Sequence, residues 1–326
     1  MENRILPVVH QNGTSVSVIH RFKWDKSDVN EISITSIPCQ DYISKTRPIL
    51  DFHCCVAAHG DVIIELFQTD RKGVRDLIKR ISPEAMAEID RLARKIKEHN
   101  DAVRDSTGRP LTACVKTFGC QMNEHDSEKL RGMLKRMGYD IVPDFLMGDG
   151  ATVPDVVLFN TCCVRENAED RIFGQIGAIK GAKRLKSDMI VAVCGCMTEQ
   201  GWVVDRIKKS YRHVDIVLGT GNTYRLPEVM AAKIFDGRRT IGLESEDSVP
   251  EGIEADRDEK FRAYVTIMYG CDNFCSYCIV PYVRGRERSR RPDDIINEIR
   301  GLTESGTKEV MLLGQNVNSY GKGLET

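Results

Sequence analysis

The 326-residue chain lacks long apolar runs. No stretch approaches the ~18 consecutive apolar residues of a membrane-spanning helix, so a helical membrane anchor is not expected. The first residues, Met1 to Gly13, do not combine a basic start with an apolar segment, so they do not read as a secretory signal. An excess charge of one sign is missing too. With a formal net charge of -1, the chain exerts no global pull on nucleic acid, and any such partner has to be met by a local patch. The expectation is a cytoplasmic globular protein, long enough for two or three domains.

Cysteine, by contrast, is plentiful. There are twelve, many for a reducing compartment, where disulfides seldom persist and clustered thiols more often bind metal or do redox chemistry. They stand at Cys39, Cys54, Cys55, Cys114, Cys120, Cys162, Cys163, Cys194, Cys196, Cys271, Cys275 and Cys278.

The sequence pattern divides the chain. Residues 1–108 are an N-terminal extension with β-like stretches, EISITSI and DVIIELF, ending in a helix. For that helix Ser82 is the cap and Pro83 suits the first turn, while Met86, Ile89, Leu92, Ala93 and Ile96 recur at helical spacing. The segment DAVRDSTGRP then reads as a linker. Over 109–240 strands alternate with helices: LTACVKTF, DVVLFN, MIVAVCG and VDIVLG are strands, separated by amphipathic or helix-forming stretches. That alternation predicts an α/β fold with a doubly wound parallel sheet. Residues 241–260 are acidic and poor in apolar side chains, as expected of an inter-domain linker. From 261 to 326 a strand, a helix and another strand begin a further (β/α) domain.

Cys271, Cys275 and Cys278 form a C-x3-C-x2-C motif directly after an apolar strand. A tight loop of this spacing can aim three thiolates at one iron–sulfur cluster. A structural zinc site ordinarily takes four protein ligands, and no histidine or fourth cysteine lies near in sequence. Zinc binding is the competing reading.

The other cysteines show a second pattern. Cys120, Cys162 and Cys196 each fall just past the C-terminal end of an expected parallel strand. Ligands bind at that edge of open α/β sheets, so three separate loops can deliver thiolates to one point. Cys163, beside Cys162, is an equal candidate on pattern alone, whereas Cys114 and Cys194 fall within strands and read as core. His53, His59 and His125 are isolated and are not assigned to metal. Arg284, Arg286, Arg288, Arg290 and Arg291 form a basic run; arginine pairs well with phosphate, and Arg284, Arg286 and Arg288 are the candidate contacts to nucleic acid.

The stretches GCQMNEHDSE, FNTCCVRENAE, VCGCMTEQ, MYGCDNFCSYCIVPYVRGRERSR and LLGQNVNSYG together resemble the radical S-adenosylmethionine (SAM) methylthiotransferases, over roughly residues 111 to 326. GQNVNSYG is more similar to the tRNA-modifying branch than to the branch acting on a ribosomal protein. The resemblance implies two [4Fe-4S] clusters, an auxiliary one on Cys120, Cys162 and Cys196 and a radical SAM one on Cys271, Cys275 and Cys278. It implies SAM as cosubstrate, with Tyr277, Gln315 and Asn316 as candidate contacts, and an electron donor such as flavodoxin or ferredoxin. The implied reaction is conversion of N6-dimethylallyladenosine at position 37, next to the tRNA anticodon, to its 2-methylthio derivative. Threonylcarbamoyl-adenosine tRNA, a ribosomal protein, or a non-catalytic iron–sulfur or zinc protein are the alternatives. The resemblance also implies that most of the radical SAM barrel and an RNA-binding domain are missing, so that this chain alone is expected to be inactive.

Overall fold

The computed structural model describes residues 81–143, 153–163, 166–243, 248–257, 259–322 and 324. The expected strands EISITSI and DVIIELF, together with Cys39, Cys54, Cys55, His53 and His59, lie outside the described residues. The chain divides into two compact units. Among the described residues, one takes in those between 81 and 257 together with Tyr269–Arg288, and the other takes in Glu259–Met268 and those from Ser289 onward.

The larger unit begins with helix α1 (Pro83–Thr107). Ser82 Oγ accepts a hydrogen bond from the Ala85 N–H at 3.1 Å, and Pro83 occupies the first turn. Both features stabilise a helix start. The helix runs through most of the segment expected to be a linker. It stops only where Gly108 takes up φ 70° and donates its N–H to the Arg104 carbonyl at 2.8 Å, the left-handed cap that glycine adopts without strain. What extends it is tertiary: Asn100 Nδ2, buried, donates to the Met137 carbonyl at 2.9 Å.

Strand β1 (Thr112–Thr117), helix α2 (Gln121–Arg136), strand β2 (Asp140–Ile141), strand β3 (Val156–Thr161) and helix α3 (Glu166–Leu185) follow. Next come strand β4 (Ile190–Gly195), helix α4 (Gly201–Ser210), strand β5 (Ile216–Leu218), helix α5 (Leu226–Asp236) and strand β6 (Thr240–Ile241). The six strands form one sheet in the order β2-β1-β3-β4-β5-β6, every neighbouring pair parallel.

The sheet is covered on both faces. Every residue of β3 and β4 is buried, which explains why VVLF and IVAV read as continuous apolar runs rather than alternating ones. One face (Val156, Leu158, Ile190 and Ala192) packs with Ile96 of α1, Leu130 and Leu134 of α2, and Val229 and Met230 of α5. The opposite face (Val157, Phe159, Val191 and Val193) packs with Ile172 and Ile176 of α3 and Val203 and Ile207 of α4. The doubly wound α/β fold expected from the sequence is the fold observed.

Residues 248–257 do not behave as a free linker. Glu128 O accepts the Asp256 N–H at 2.8 Å, Lys135 Nζ pairs with Asp256 Oδ1 at 2.6 Å, and Val249 is buried. Gly132 explains the close approach, because a β-carbon there would lie 2.1 Å from the Glu254 carbonyl oxygen. An acidic composition reads as a linker in sequence, yet here its carboxylates and carbonyls meet the basic flank of α2.

The same unit takes in the cysteine loop, the one-turn helix α6 (Val280–Val283) and the arginines up to Arg288. The described part of the smaller unit holds strand β7 (Arg262–Thr266), helix α7 (Pro292–Glu304) and a strand at Glu309–Leu313, here β8, which pairs with β7 in parallel. Ile295, Ile299 and Leu302 of α7 bury against Ala263, Val265 and Val310. This is a β–α–β start of the kind expected.

Candidate metal centres

The sheet's register explains how the first three cysteines share an edge. Thr117 of β1 pairs with Asn160 of β3, and Thr161 of β3 pairs with Gly195 of β4. Three adjacent strands therefore end level with one another. Cys120 sits at the N-cap of α2, Cys162 and Cys163 directly follow β3, and Cys196 opens a short 3-10 turn after β4. Strand order reverses between β1 and β3, so this edge is the topological switch point, where open α/β sheets leave a crevice for ligands.

Buried amides hold the loops in place. Asn123 Nδ2 donates to Asn160 Oδ1 at 3.1 Å and to the Thr161 carbonyl at 3.2 Å, while Asn160 Nδ2 donates to the Asn123 carbonyl at 2.8 Å. Cys120 Sγ donates to Asn123 Oδ1 at 3.4 Å. Gly195, at φ 101°, is forced: a β-carbon there would meet the Thr161 carbonyl oxygen at 2.3 Å. These amides were not among the sequence candidates. For Asn160 the signal was a polar residue inside an otherwise apolar strand, since a buried amide persists only where its bonds are met; Asn123, in the first turn of α2, had none.

The thiols differ. Cys196 is buried, and its pKa is lowered to about 7. A hydrogen bond from Cys163 is the main cause; burial opposes it, and the Arg284 guanidinium reinforces it. Cys163 is correspondingly held protonated by that bond and by burial. Cys120 is raised by burial, against the attraction of Arg284. Cys162 lies on the Cys120 side, where a β-carbon at Gly119 would be 2.9 Å from its own. Cys114 and Cys194 are buried inside strands, as core.

The second set occupies a pinned loop. Cys271 is buried, Cys278 half-buried and Cys275 exposed. Cys271 N–H donates to the Gly285 carbonyl at 3.2 Å and Cys278 N–H to the Cys275 carbonyl at 2.9 Å. Asp272 Oδ1 accepts the Glu287 N–H at 3.1 Å and pairs with Arg286 at 3.0 Å. Gly270, at φ 74°, allows the Arg286 carbonyl to approach where a β-carbon would be 2.0 Å away. Phe274 at φ 44° is strained for a side-chain-bearing residue. Burial raises the Cys271 pKa, opposed by a backbone hydrogen bond from Asn273 and reinforced by Glu287 and the two neighbouring thiols. Tyr277 projects into solvent, 66% exposed. Gln315 and Asn316 follow the C-terminal end of β8 in the smaller unit, where Asn316 Nδ2 donates to Ser319 Oγ at 2.7 Å.

Among the described residues no three Cys, His, Asp or Glu side chains converge closely enough to hold one metal ion. The structure brings each cysteine set to one edge or loop without closing it. Both sets consist of thiols, the donor type iron–sulfur clusters take, and they fit such a group in kind.

The basic run requires a correction. Arg284, expected to meet phosphate, is buried, with Nη1 on Asp126 Oδ2 at 2.7 Å and Nε on Cys196 Sγ at 3.0 Å. Arg290 is buried on the Thr266 carbonyl and Glu298. Arg288 is half-buried, donating to the Arg284 carbonyl at 2.9 Å. Of the three candidate phosphate contacts only Arg286 is exposed, and it pairs with Asp272 beneath Phe274. A run of arginines in sequence does not reveal which of them face buried carboxylates.

Residues 112–219 match the family described as "Uncharacterized protein family UPF0004", and residues 265–325 match the radical SAM superfamily. The two matches fall in the order expected from the resemblance to the radical SAM methylthiotransferases. The chain is 49% identical over 255 residues (78% of this chain, 52% of the relative) to the tRNA-2-methylthio-N(6)-dimethylallyladenosine synthase of Acetivibrio thermocellus. It is 47% identical over 243 residues (74% and 50%) to that of Clostridioides difficile, and 51% over 212 residues (65% and 45%) to that of Clostridium beijerinckii. The chain thus spans about half the length of the curated relatives it matches. No helix among the described residues is long and apolar enough to cross a membrane.

Proposed function

We propose that the protein acts as a tRNA methylthiotransferase, converting N6-dimethylallyladenosine at position 37 to its 2-methylthio derivative. The observation that carries this reading is the pairing of two thiol sets: one at the switch point of a UPF0004 sheet, the other in a radical SAM loop. Cys271, Cys275 and Cys278 would hold the radical SAM cluster, and Cys120, Cys162 and Cys196 an auxiliary [4Fe-4S] cluster.

Carbon 2 of adenine is an aromatic C–H carbon that acid–base chemistry at neutral pH does not functionalise. When bound, cluster and SAM supply the one-electron chemistry that does, while the protein orients reactants and excludes water. The chain's own residues divide that work. The 270–287 loop fixes three thiols by backbone hydrogen bonds, and the deficit of one cysteine relative to a four-ligand site leaves a position for SAM. Tyr277, being exposed beside the loop, and Gln315 and Asn316, at a strand end, are the candidate SAM contacts. Arg286 is the remaining arginine placed to meet an anticodon-loop phosphate, and the target base has to be unstacked to be reached. A flavodoxin or ferredoxin would supply electrons.

Nucleoside mass spectrometry of tRNA from cells deleted for the gene carrying this sequence tests the reading. The 2-methylthio derivative disappears and N6-dimethylallyladenosine accumulates; an unchanged 2-methylthio level overturns it.

A further inference from the structure

Arg284 follows closely on Cys278 in sequence, yet its side chain is spent on the first thiol set. Its guanidinium is buried in the same compact unit as Cys120, Cys162 and Cys196. Nε donates to Cys196 Sγ at 3.0 Å and Nη1 to Asp126 Oδ2 at 2.7 Å. Nη2 is buried and has no hydrogen-bond partner among the described residues. The segment that delivers it is anchored to the sheet edge: Val283 packs with Cys163, Cys196 and Met197, and its carbonyl accepts from Thr220 Oγ1 at 2.9 Å.

A buried donor left unpaired is costly, and native structures rarely keep one without a purpose. Here the unpaired donor belongs to a cation that already touches one candidate ligand sulfur. Cluster sulfides and ligand thiolates accept N–H hydrogen bonds, and such bonds, together with nearby charge, set the cluster's reduction potential. Asp126 fixes the guanidinium plane, so that Nε and Nη2 present donors along one edge of the fork. A lysine has no such geometry.

We infer that Arg284 is a positioning residue for the auxiliary cluster: Nε holds the Cys196 sulfur in place and Nη2 donates to a sulfur of the bound cluster. This rests on the assignment of Cys120, Cys162 and Cys196 to that cluster. Uptake of one electron makes a cluster more negative, so a fixed cationic donor stabilises the reduced form and raises the potential. The segment that bears the radical SAM cysteines thereby also tunes the other site.

The test uses the whole chain with Cys271, Cys275 and Cys278 replaced by alanine, loaded anaerobically with ferrous iron and sulfide. The chain is titrated with dithionite as electron donor and followed by electron paramagnetic resonance. Iron and sulfide in equal amounts in this background show that the first set holds a cluster; no iron at all sinks that assignment before any arginine is changed. Arg284→Gln then shifts the one-electron equilibrium toward the oxidised form by about tenfold, ~59 mV. Arg284→Lys, which keeps the charge and guards against a folding failure in the glutamine variant, holds iron and falls part of the way. Loss of iron from Arg284→Gln with unchanged circular dichroism, while Arg284→Lys keeps its iron, supports the positioning role. A potential in either variant equal to that of the background overturns it.

Discussion

Asp155 offers a quantitative test of the larger unit. It sits just before β3, at the edge opposite the thiols, and its carboxylate is nearly closed from solvent. Lys186 Nζ reaches Oδ1 at 2.6 Å, Arg109 binds both oxygens at 2.9 and 3.1 Å, and the Thr112 N–H meets Oδ2 at 2.7 Å. One side chain thus ties the α1–β1 junction, β1 and the end of α3 together. In Asp155→Asn the amide carbonyl keeps the Thr112 bond, while its NH2 faces a cation. Arg109 is 48% exposed, so losing that pair costs only ~0.2–1 kcal/mol. Lys186 is only 17% exposed, and a charge-assisted bond of this kind contributes about 1.5–3 kcal/mol. The expected loss is therefore ~2–4 kcal/mol, read as a lower urea midpoint of the reduced apoprotein at unchanged slope.

The pH dependence of that loss has a definite sign. Burial pushes the Asp155 pKa up, but Arg109, Lys186 and the Thr112 N–H outweigh it, and the net shift is downward. A carboxylate depressed in the folded state contributes its stability above the unfolded pKa, ~3.9. That contribution is lost as pH falls through the folded pKa. The gap between parent and Asp155→Asn should be full at pH 7 and shrink below pH ~4. A gap under ~0.5 kcal/mol at pH 7, about the scatter of an ordinary surface change, or one that persists undiminished in acid, would refute the argument.

Two further substitutions probe other links. Ile96 of α1 is fully buried against Leu130 and Leu134, so Ile96→Ala should cost ~2–5 kcal/mol in urea unfolding; a cost under ~1 kcal/mol would mean that α1 is an appendage and not part of the core. Gly195→Ala places a methyl 2.3 Å from the Thr161 carbonyl oxygen at φ 101°. It should destabilise by about 3 kcal/mol or more and reduce the iron retained by the first thiol set, and a variant that unfolds and loads like the parent contradicts the geometry.

Much of this architecture could be read in the sequence, because it is encoded locally. Ser82 and Pro83 announce a helix start whatever follows, and VVLF and IVAV are unbroken apolar runs since both faces of their strands are covered. What escaped reading depends on partners distant in the chain. The helix outran its expected end because Asn100 meets Met137, and residues 248–257 lie along α2 because Gly132 has no side chain. Composition near either segment carries no trace of those partners.

The arginine run shows the same limit at the site itself. Arg284, Arg286, Arg288 and Arg290 are chemically identical in sequence, yet burial separates them by what each can reach. Arg290 has Glu298 and a carbonyl; Arg286 has an exposed aspartate; Arg284 has Asp126 and a cysteine sulfur. A guanidinium cannot be taken from water without a counter-charge, so the position of Asp126, nearly two helical turns on from Cys120, draws Arg284 to the thiol edge as Glu298 draws Arg290 elsewhere. The motif GCQMNEHDSE therefore does two jobs within two turns of helix: it places a thiol at the switch point and supplies the carboxylate that brings a cation to it.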